Sequence, residues 1–279
     1  MSAAVEMDDV PADERLVSLL REPIDPRTVP VRFSRLKNMA KSPAHYLAAV
    51  QEDADDSLAM RLGRGVHAML LGMPVVKFTG KQRRGKDWDS FKAANADKEI
   101  LNANEWAQAE GMSTAVHRHR QAHDLLFAAG VELERTIEWE LNGRKCTSRP
   151  DSRRTNDLLV DLKTTRCSEP RKFSRDAQFM GYHAQFSFYG EAIRTETGRA
   201  PKDNYVVAIE SKRPYVVTVL EVVPRTIAEG EKCWRLWWER LAVCEAANEW
   251  PGYTQTIEPF DLSDDGDTVL IVDGEEMEL

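Results

Sequence analysis

The stretch RPDSRRTNDLLVDLKTT, residues Arg149 to Thr165, decides how this chain is read. An apolar run, Leu158 to Leu162, is interrupted by Asp161 and followed at once by Lys163. Asp151 stands ten residues before Asp161, and Thr155-Asn156-Asp157 between them reads as a turn. If the strand ahead of the turn pairs with the strand after it, period two puts Asp161 and Lys163 on one face and turns Leu162 away. A short turn then brings Asp151 across from that pair. Converging carboxylates repel and need a cation, and hard divalent ions prefer oxygen ligands. A neighbouring lysine can help activate water or stabilise charge building on a phosphate. The same residues also suit a solvent-facing strand with snorkelling charges, and the hairpin alone leaves both readings open.

Working outward, the order of elements is helices, three strands, helix, two strands, helix. Ser34 is a plausible N-cap, and Pro43 opens a second helix. The segment DSLAMRLGRGVHAMLLG reads as an amphipathic helix ending near Gly72, and 104–129 reads as one long helix. A basic loop, KQRRGK (81–86), leads into a helix at Asp87. VELERTIEWELNG alternates as one strand into an Asn142-Gly143 hairpin, with RKCTSRPDSRR as its return. RDAQFMGYHAQFSFYGEAIRTET reads as one helix, two β-branched strands turn at Lys212-Arg213-Pro214, and a last helix follows. These imply a mixed α/β fold: one central mixed sheet flanked by helices, with a helical N-terminal portion. We expect a loose arm over 1–30, one domain over 31–255 and an acidic tail over 256–279, in which TVLIVDG could form a strand.

The 279 residues are enough to bury a real core, and 42% apolar and 30% charged residues are globular values. No run approaches a membrane span, and the N-terminus lacks the pattern of a signal peptide. The four cysteines are scattered, which favours free thiols in a reducing cytoplasm over a zinc or iron–sulfur site. A net charge of −8 seems to oppose nucleic-acid binding, but the last 19 residues hold eight acids and no base. Without them, 38 basic residues face 38 acidic ones, and basic clusters stand at 81–86, 117–120, 144–154 and 171–175.

The motifs RPD and DLKTT resemble those of the PD-(D/E)xK nuclease superfamily. QFSFY places Gln185 and Tyr189 where the RecB-type branch has its Q-x-x-x-Y motif, and GRGVH places Gly63 and His67 as in its G-x-x-x-H motif. The ordered set FSRLKNMAKSPAHYL, RLGRGVHAMLLG, RRGKDWDSF, SRPD, DLKTT and YVVAIESKRPYVV is similar to the phage-type exonucleases akin to RecE (exonuclease VIII), from about Phe33 to Val223. The resemblance implies a restriction-endonuclease-like core. It implies that His67, Asp151 and Asp161 hold one or two Mg²⁺ ions, with Mn²⁺ as substitute, and it groups Leu162 with these metal positions. By the same resemblance Lys163 is the catalytic lysine, and Gln185 and Tyr189 steady the site and contact DNA.

Each residue also has a plainer reading. His67 lies near the apolar stripe of its helix, where a hydrogen-bonded core histidine is usual. Gln185 and Tyr189 could be ordinary helix surface and packing. Glu138 could approach the metals, but a solvated strand face suits it better. Ser34 and Arg35 have the chemistry to hold a terminal phosphate, and capping explains Ser34 as well. Arg64 in GRGVH and Arg83, Arg84 and Lys86 in the basic loop are candidate DNA contacts. Trp234, Trp237 and Trp238 suit core packing better than base stacking.

The resemblance implies a 5′-to-3′ exonuclease acting on ends of linear double-stranded DNA in the cytoplasm of a phage's or prophage's bacterial host. It leaves 3′ single strands for recombination, and the family implies a ring-like homo-oligomer and a single-strand annealing partner. Two alternatives are a single-strand-specific nuclease of the same superfamily, disfavoured because an iron–sulfur cysteine cluster is missing, and a catalytically inactive DNA-binding or recombination scaffold.

Overall fold

The computed structural model describes residues 24–51, 57–154 and 157–259, together with strands at 269–272 and 275–278. The tail's two strands, Val269–Val272 and Glu275–Glu278, pair as an antiparallel hairpin, so TVLIVDG does supply a strand. Most of the expected N-terminal arm, residues 1–23, lies outside the described residues.

The N-terminal portion is helical, as expected. Strand β1 (Val31–Arg32) leads into α1 (Phe33–Leu36), and α2 (Pro43–Gln51) starts on its proline. Helix α3 (Leu58–Leu71) is capped by the Ser57 side chain and ends where Gly72 takes a left-handed conformation at φ +75°. Next come β2 (Val75–Phe78), α4 (Lys86–Ala94) and β3 (Glu99–Asn102). β2 and β3 pair in parallel as a small sheet that the polar surroundings of these four-residue strands conceal in the sequence.

The long helix expected over 104–129 is two, α5 (Ala103–Arg118) and α6 (Arg120–Leu126). His119 breaks it: its ψ of 102° leaves the helical region, and its Nδ1 caps α6 by accepting the Ala122 N–H at 3.2 Å. The single strand expected from Val131 is likewise two, β4 (Val131–Leu133) and β5 (Ile137–Leu141), parted at Glu134, whose φ is +49°. The return strand also divides, into β6 (Arg144–Ser148) and β7 (Ser152–Arg154), at Arg149-Pro150-Asp151. Proline has no N–H to continue a ladder, so the chain leaves one sheet and joins another there.

After β8 (Leu158–Thr165), the helix expected over QFMGYH is also two, α7 (Pro170–Phe179) and α8 (Tyr182–Thr197). Gly181 sits between them at φ +74°, a conformation only glycine adopts without penalty. β9 (Asp203–Glu210), β10 (Val217–Glu221) and α9 (Pro224–Ala247) complete the domain.

The strands expected in one central sheet divide between a main and a smaller sheet. The main sheet has the order β10-β9-β8-β7-β4, with β8 and β9 parallel and the other neighbours antiparallel. The hairpin β5–β6 leaves it and pairs with β1 in a three-stranded sheet. The mixed α/β class stands. β8 is central and buried on both faces, as its near-continuous apolar run demands. Leu158, Val160 and Leu162 join α3, α5 and α6 in one core, with Val66, Met112 and Leu126 among their partners. Leu159 faces the other core, where Phe186, Phe188, Trp139 and Trp234 pack between the sheets, α8 and α9. Trp234 and Trp238 are buried and Trp237 packs against the same core, so these tryptophans serve packing.

Candidate active site

Strand period two on β8 sends Asp161 and Lys163 to the α8 side and Leu162 into the opposite core. Asp161 is 2% exposed and ion-paired to Lys163. β7 and β8 pair with Ser152 opposite Val160, so Asp151, one residue earlier, falls beside Asp161. Leu162 contributes through its backbone, since its N–H donates to Asp151 Oδ2 at 2.6 Å while its side chain is fully buried. The sequence-level hairpin is therefore real where it matters, although its first strand is only three residues long.

His67 comes from the last turns of α3. Its Nδ1 lies 3.4 Å from Asp151 Oδ1 and 3.8 Å from Glu134 Oε1. Ligand atoms of His67, Glu134 and Asp151 all lie within 4.8 Å of one another. Glu134 is held there from two sides. Its backbone N–H donates to the Asp151 carbonyl at 3.0 Å, and its carboxylate meets Arg149 Nε at 2.9 Å. Burial disfavours the charged imidazole of His67, but Asp151 beside it and hydrogen bonds to Asp151 and Glu134 outweigh this, so its pKa is pushed up to about 10.

The two aspartates are driven apart. Burial pushes Asp161 up to about 6, against the pull of Lys163. Burial acts the same way on Asp151, yet the His67 charge prevails and holds it below the usual carboxylate range. Burial opposes the charge of Lys163, but Asp161 and Asp151 raise it above an ordinary lysine. In this state Lys163 is a cation. Its Nζ also donates to Gln185 Oε1 at 3.0 Å and lies 4.6 Å from the centre of the Tyr182 ring. Gln185 and Tyr189, one turn apart on α8, are joined by an Nε2–H···OH bond of 3.1 Å. Burial pushes the Tyr189 hydroxyl up to about 12, keeping it neutral.

An imidazole with carboxylates is a suitable donor set for a divalent cation such as magnesium or manganese, and carboxylates this deeply buried need positive charge near them. The residues present therefore fit such an ion, with His67, Glu134 and Asp151 as the grouped donors and Asp161 beside them.

Over residues 32–262 the sequence matches the family described as a PDDEXK-like domain of unknown function (DUF3799). The chain belongs to this family. No curated protein matches this PDDEXK-like sequence. Among solved structures, a "putative exonuclease" from Eubacterium rectale superposes with a TM-score of 0.59 at 14% identity, covering 91% of this chain and 97% of that one. An alkaline exonuclease from Laribacter hongkongensis aligns at 16% identity with a TM-score of 0.30, covering 66% of this chain and 95% of that one. At these identities the first likeness speaks for the fold, a restriction-endonuclease-like core, which agrees with the sheet described above.

In this PDDEXK-like domain the aspartates, Lys163, His67, Gln185 and Tyr189 line one cavity of about 590 Å³. Arg32, Ser34 and Lys37 also line it. Arg35, expected to act with Ser34, is not among the lining residues, because the turn of α1 puts Ser34 and Lys37 on the cavity instead. Burial and the nearby Lys163 charge lower Lys37, as two cations sharing one cavity should. Arg64 lines the cavity and pairs with Glu99 at 2.7 Å.

Arg83, a candidate DNA contact, is partly buried beside the cavity-side strand β3. It is tied to Glu105 and donates to the Ile100 carbonyl at 2.7 Å, fastening the basic loop to the body. Arg84 is exposed and bonded to Gln82, and Lys86 is exposed at the start of α4. Glu138 faces solvent, as its alternating strand predicts. Glu134, Arg32 and Lys37 are the site residues that sequence reasoning missed. Glu134 lies in a strand break that period-two reading smooths over. Lys37 follows a helix of only four residues, too short to show a period in the sequence.

Proposed function

We propose that this PDDEXK-like domain is a divalent-metal-dependent DNA exonuclease. The observation that carries the proposal is the convergence of His67, Glu134, Asp151, Asp161 and Lys163 on one cavity that Arg32 and Lys37 also line. A bound Mg²⁺ or Mn²⁺ ion supplies Lewis-acid polarisation of a phosphate and lowers the pKa of water. His67, Glu134 and Asp151 would hold such an ion, and Asp161 pairs with Lys163. Lys163, kept charged by the aspartates, places its ammonium against the charge that grows on the phosphate in the transition state. Gln185 fixes the direction of Lys163, and Tyr189 fixes Gln185. Arg32, Ser34 and Lys37 neutralise and orient the phosphate backbone entering the cavity.

The finer reading is digestion of linear duplex ends from the 5′ side, leaving 3′ single strands for phage-type recombination. It rests on the ordered motifs from Phe33 to Val223, and the fold likeness to the Eubacterium rectale protein supports the exonuclease class. On this reading residues 31–255 are the catalytic domain. A ring-like homo-oligomer with a single-strand annealing partner in the bacterial cytoplasm completes it. No helix among the described residues is long and apolar enough to cross a membrane.

The test is digestion of end-labelled linear duplex beside a covalently closed circle, with Mg²⁺ or Mn²⁺ and with chelator. Loss of the linear DNA alone, with early release of a 5′ label, is the expected result. Intact linear DNA under both metals overturns the nuclease reading, and early release of a 3′ label overturns the polarity.

A further inference from the structure

The basic cluster RKFSR (171–175) plays no part in the site just described. Its basic residues lie on the exposed side of α7. This helix packs inward through buried Phe173 and through Ala177. On the opposite side Arg171, Arg175 and Phe179 follow at four-residue intervals with Lys172 beside them, and all four are exposed. Among the described residues no ion pair engages Arg171, Lys172 or Arg175. Glu169, the nearest acid before them, is occupied as the N-cap, accepting the N–H groups of Arg171 at 3.1 Å and Lys172 at 2.8 Å. One acid, Asp176, flanks the row.

The row ends at the catalytic cavity. Phe179, in the last turn of α7, is 91% exposed, and the next residue, Met180, lines the cavity. Gly181 then breaks the helix at φ +74°, and Tyr182 lines the cavity beyond it. A lone exposed aromatic means little. An exposed aromatic one residue before a cavity-lining position, preceded by a row of exposed cations, has the two parts of a single-strand binding surface: charge for the backbone and a ring face for a base. Four helical residues rise about 6 Å, close to one nucleotide of extended strand.

We propose that the outer face of α7 is a track for single-stranded DNA leading to or from the cavity, with Arg171, Lys172 and Arg175 on the phosphates and Phe179 stacking on an unpaired base. The occupant is single-stranded because a ring face can stack only where a base is free of its neighbour. The proposal rests on the nuclease reading in taking that strand to be substrate or product, but its test needs no cleavage.

The test is binding of fluorescent oligothymidylate to full-length protein in chelator, as a function of salt. The Arg171→Gln/Arg175→Gln protein should bind about tenfold more weakly, with its salt slope shallower by about 1.4, the value for two single-strand phosphate contacts. Phe179→Ala should weaken binding about tenfold with the slope unchanged, whereas Phe179→Trp should retain it. Affinity for a covalently closed duplex should be insensitive to Phe179→Ala. Unaltered thermal unfolding checks that these surface variants fold. Wild-type affinity in both the double variant and Phe179→Ala overturns the track, as does equal loss of closed-duplex and oligothymidylate binding in Phe179→Ala. Loss of oligothymidylate binding in the variants of a wild-type protein that cuts no DNA supports the track and overturns only the nuclease reading. A wild-type protein that digests duplex ends but does not bind oligothymidylate overturns only the track.

Discussion

The backbone N–H of Leu162 donates to Asp151 Oδ2 at 2.6 Å, binding the loop that follows β6 to the central strand β8. This bond aims the other Asp151 oxygen at His67, 3.4 Å away. Asp151→Ala removes both the anchor and the charge. We expect cleavage to fall at least 100-fold and Mn²⁺ affinity to fall with it, since even residues behind a metal's ligands are worth roughly 10–100-fold. Calorimetric titration with Mn²⁺ checks this, and an unchanged titration removes Asp151 from the metal site.

Metal binding should release protons. His67 is raised from 6.5 to about 10, so the stability it contributes to the metal-free protein is fully present below pH 6.5 and lost as pH rises through about 10. Asp161 is raised from 3.8 to about 6, so ionising it inside the fold costs stability as pH climbs through that window. A cation needs His67 neutral and the carboxylates charged. Mn²⁺ affinity should therefore increase from pH 6 to pH 9. At pH 8, calorimetry in buffers of different ionisation enthalpy should show release of about one proton. No dependence on buffer would mean that His67 is not a ligand.

Gln185 touches Lys163, Asp161 and Tyr189, with its Asp161 contact the longest at 3.5 Å. Gln185→Ala removes one of the contacts that direct the Lys163 ammonium without removing a charge. Cleavage should drop by roughly 10–100-fold while Mn²⁺ affinity changes much less. Single-turnover rates beside metal titrations separate the two, and equal losses in both would place Gln185 among the ligands.

Arg153 is 1% exposed and reaches Glu132 at 2.8 Å and Glu196 at 2.6 Å, linking β7 to β4 and to the end of α8. As part of a basic cluster it looks like surface charge. Arg153→Ala should destabilise the protein by about 3 kcal/mol, the low end for a broken buried pair, because both glutamates keep contact with water. Urea denaturation gives the number, and a loss under about 1 kcal/mol would make this an ordinary surface pair.

Gly230 lets α9 approach α8 so closely that a Cβ there would lie 2.1 Å from the His183 carbonyl oxygen. Gly230→Ala improves helix propensity by about 1 kcal/mol, yet the clash with backbone should dominate and destabilise by at least 1–3 kcal/mol. Thermal unfolding decides the sign. Since α8 carries Gln185 and Tyr189, cleavage should decline as well.

Much of the site was legible because it is local. D-x-K on β8 and Q-x-x-x-Y on α8 have spacings that match the period of their own element, so one face collects each pair without help from the rest of the chain. Asp151 was within reach because a short hairpin joins it to Asp161. Glu134, Lys37 and Arg32 were not legible. Their neighbours in the site are distant in sequence, and the features that place them, a left-handed residue and a four-residue helix, leave no periodic trace.

By itself the sequence determined the mixed α/β class, a strand with Asp161 and Lys163 on one face, and the helix that presents His67. These follow from the alternation of apolar and charged residues, which water enforces along each element. Only the tertiary structure decided that the hairpin β5–β6 leaves the main sheet, that Glu134 joins His67 and Asp151, and that Arg83 and Arg153 are held in ion pairs. Charge reads alike on a free surface and in a buried pair until packing brings up the partner that neutralises it.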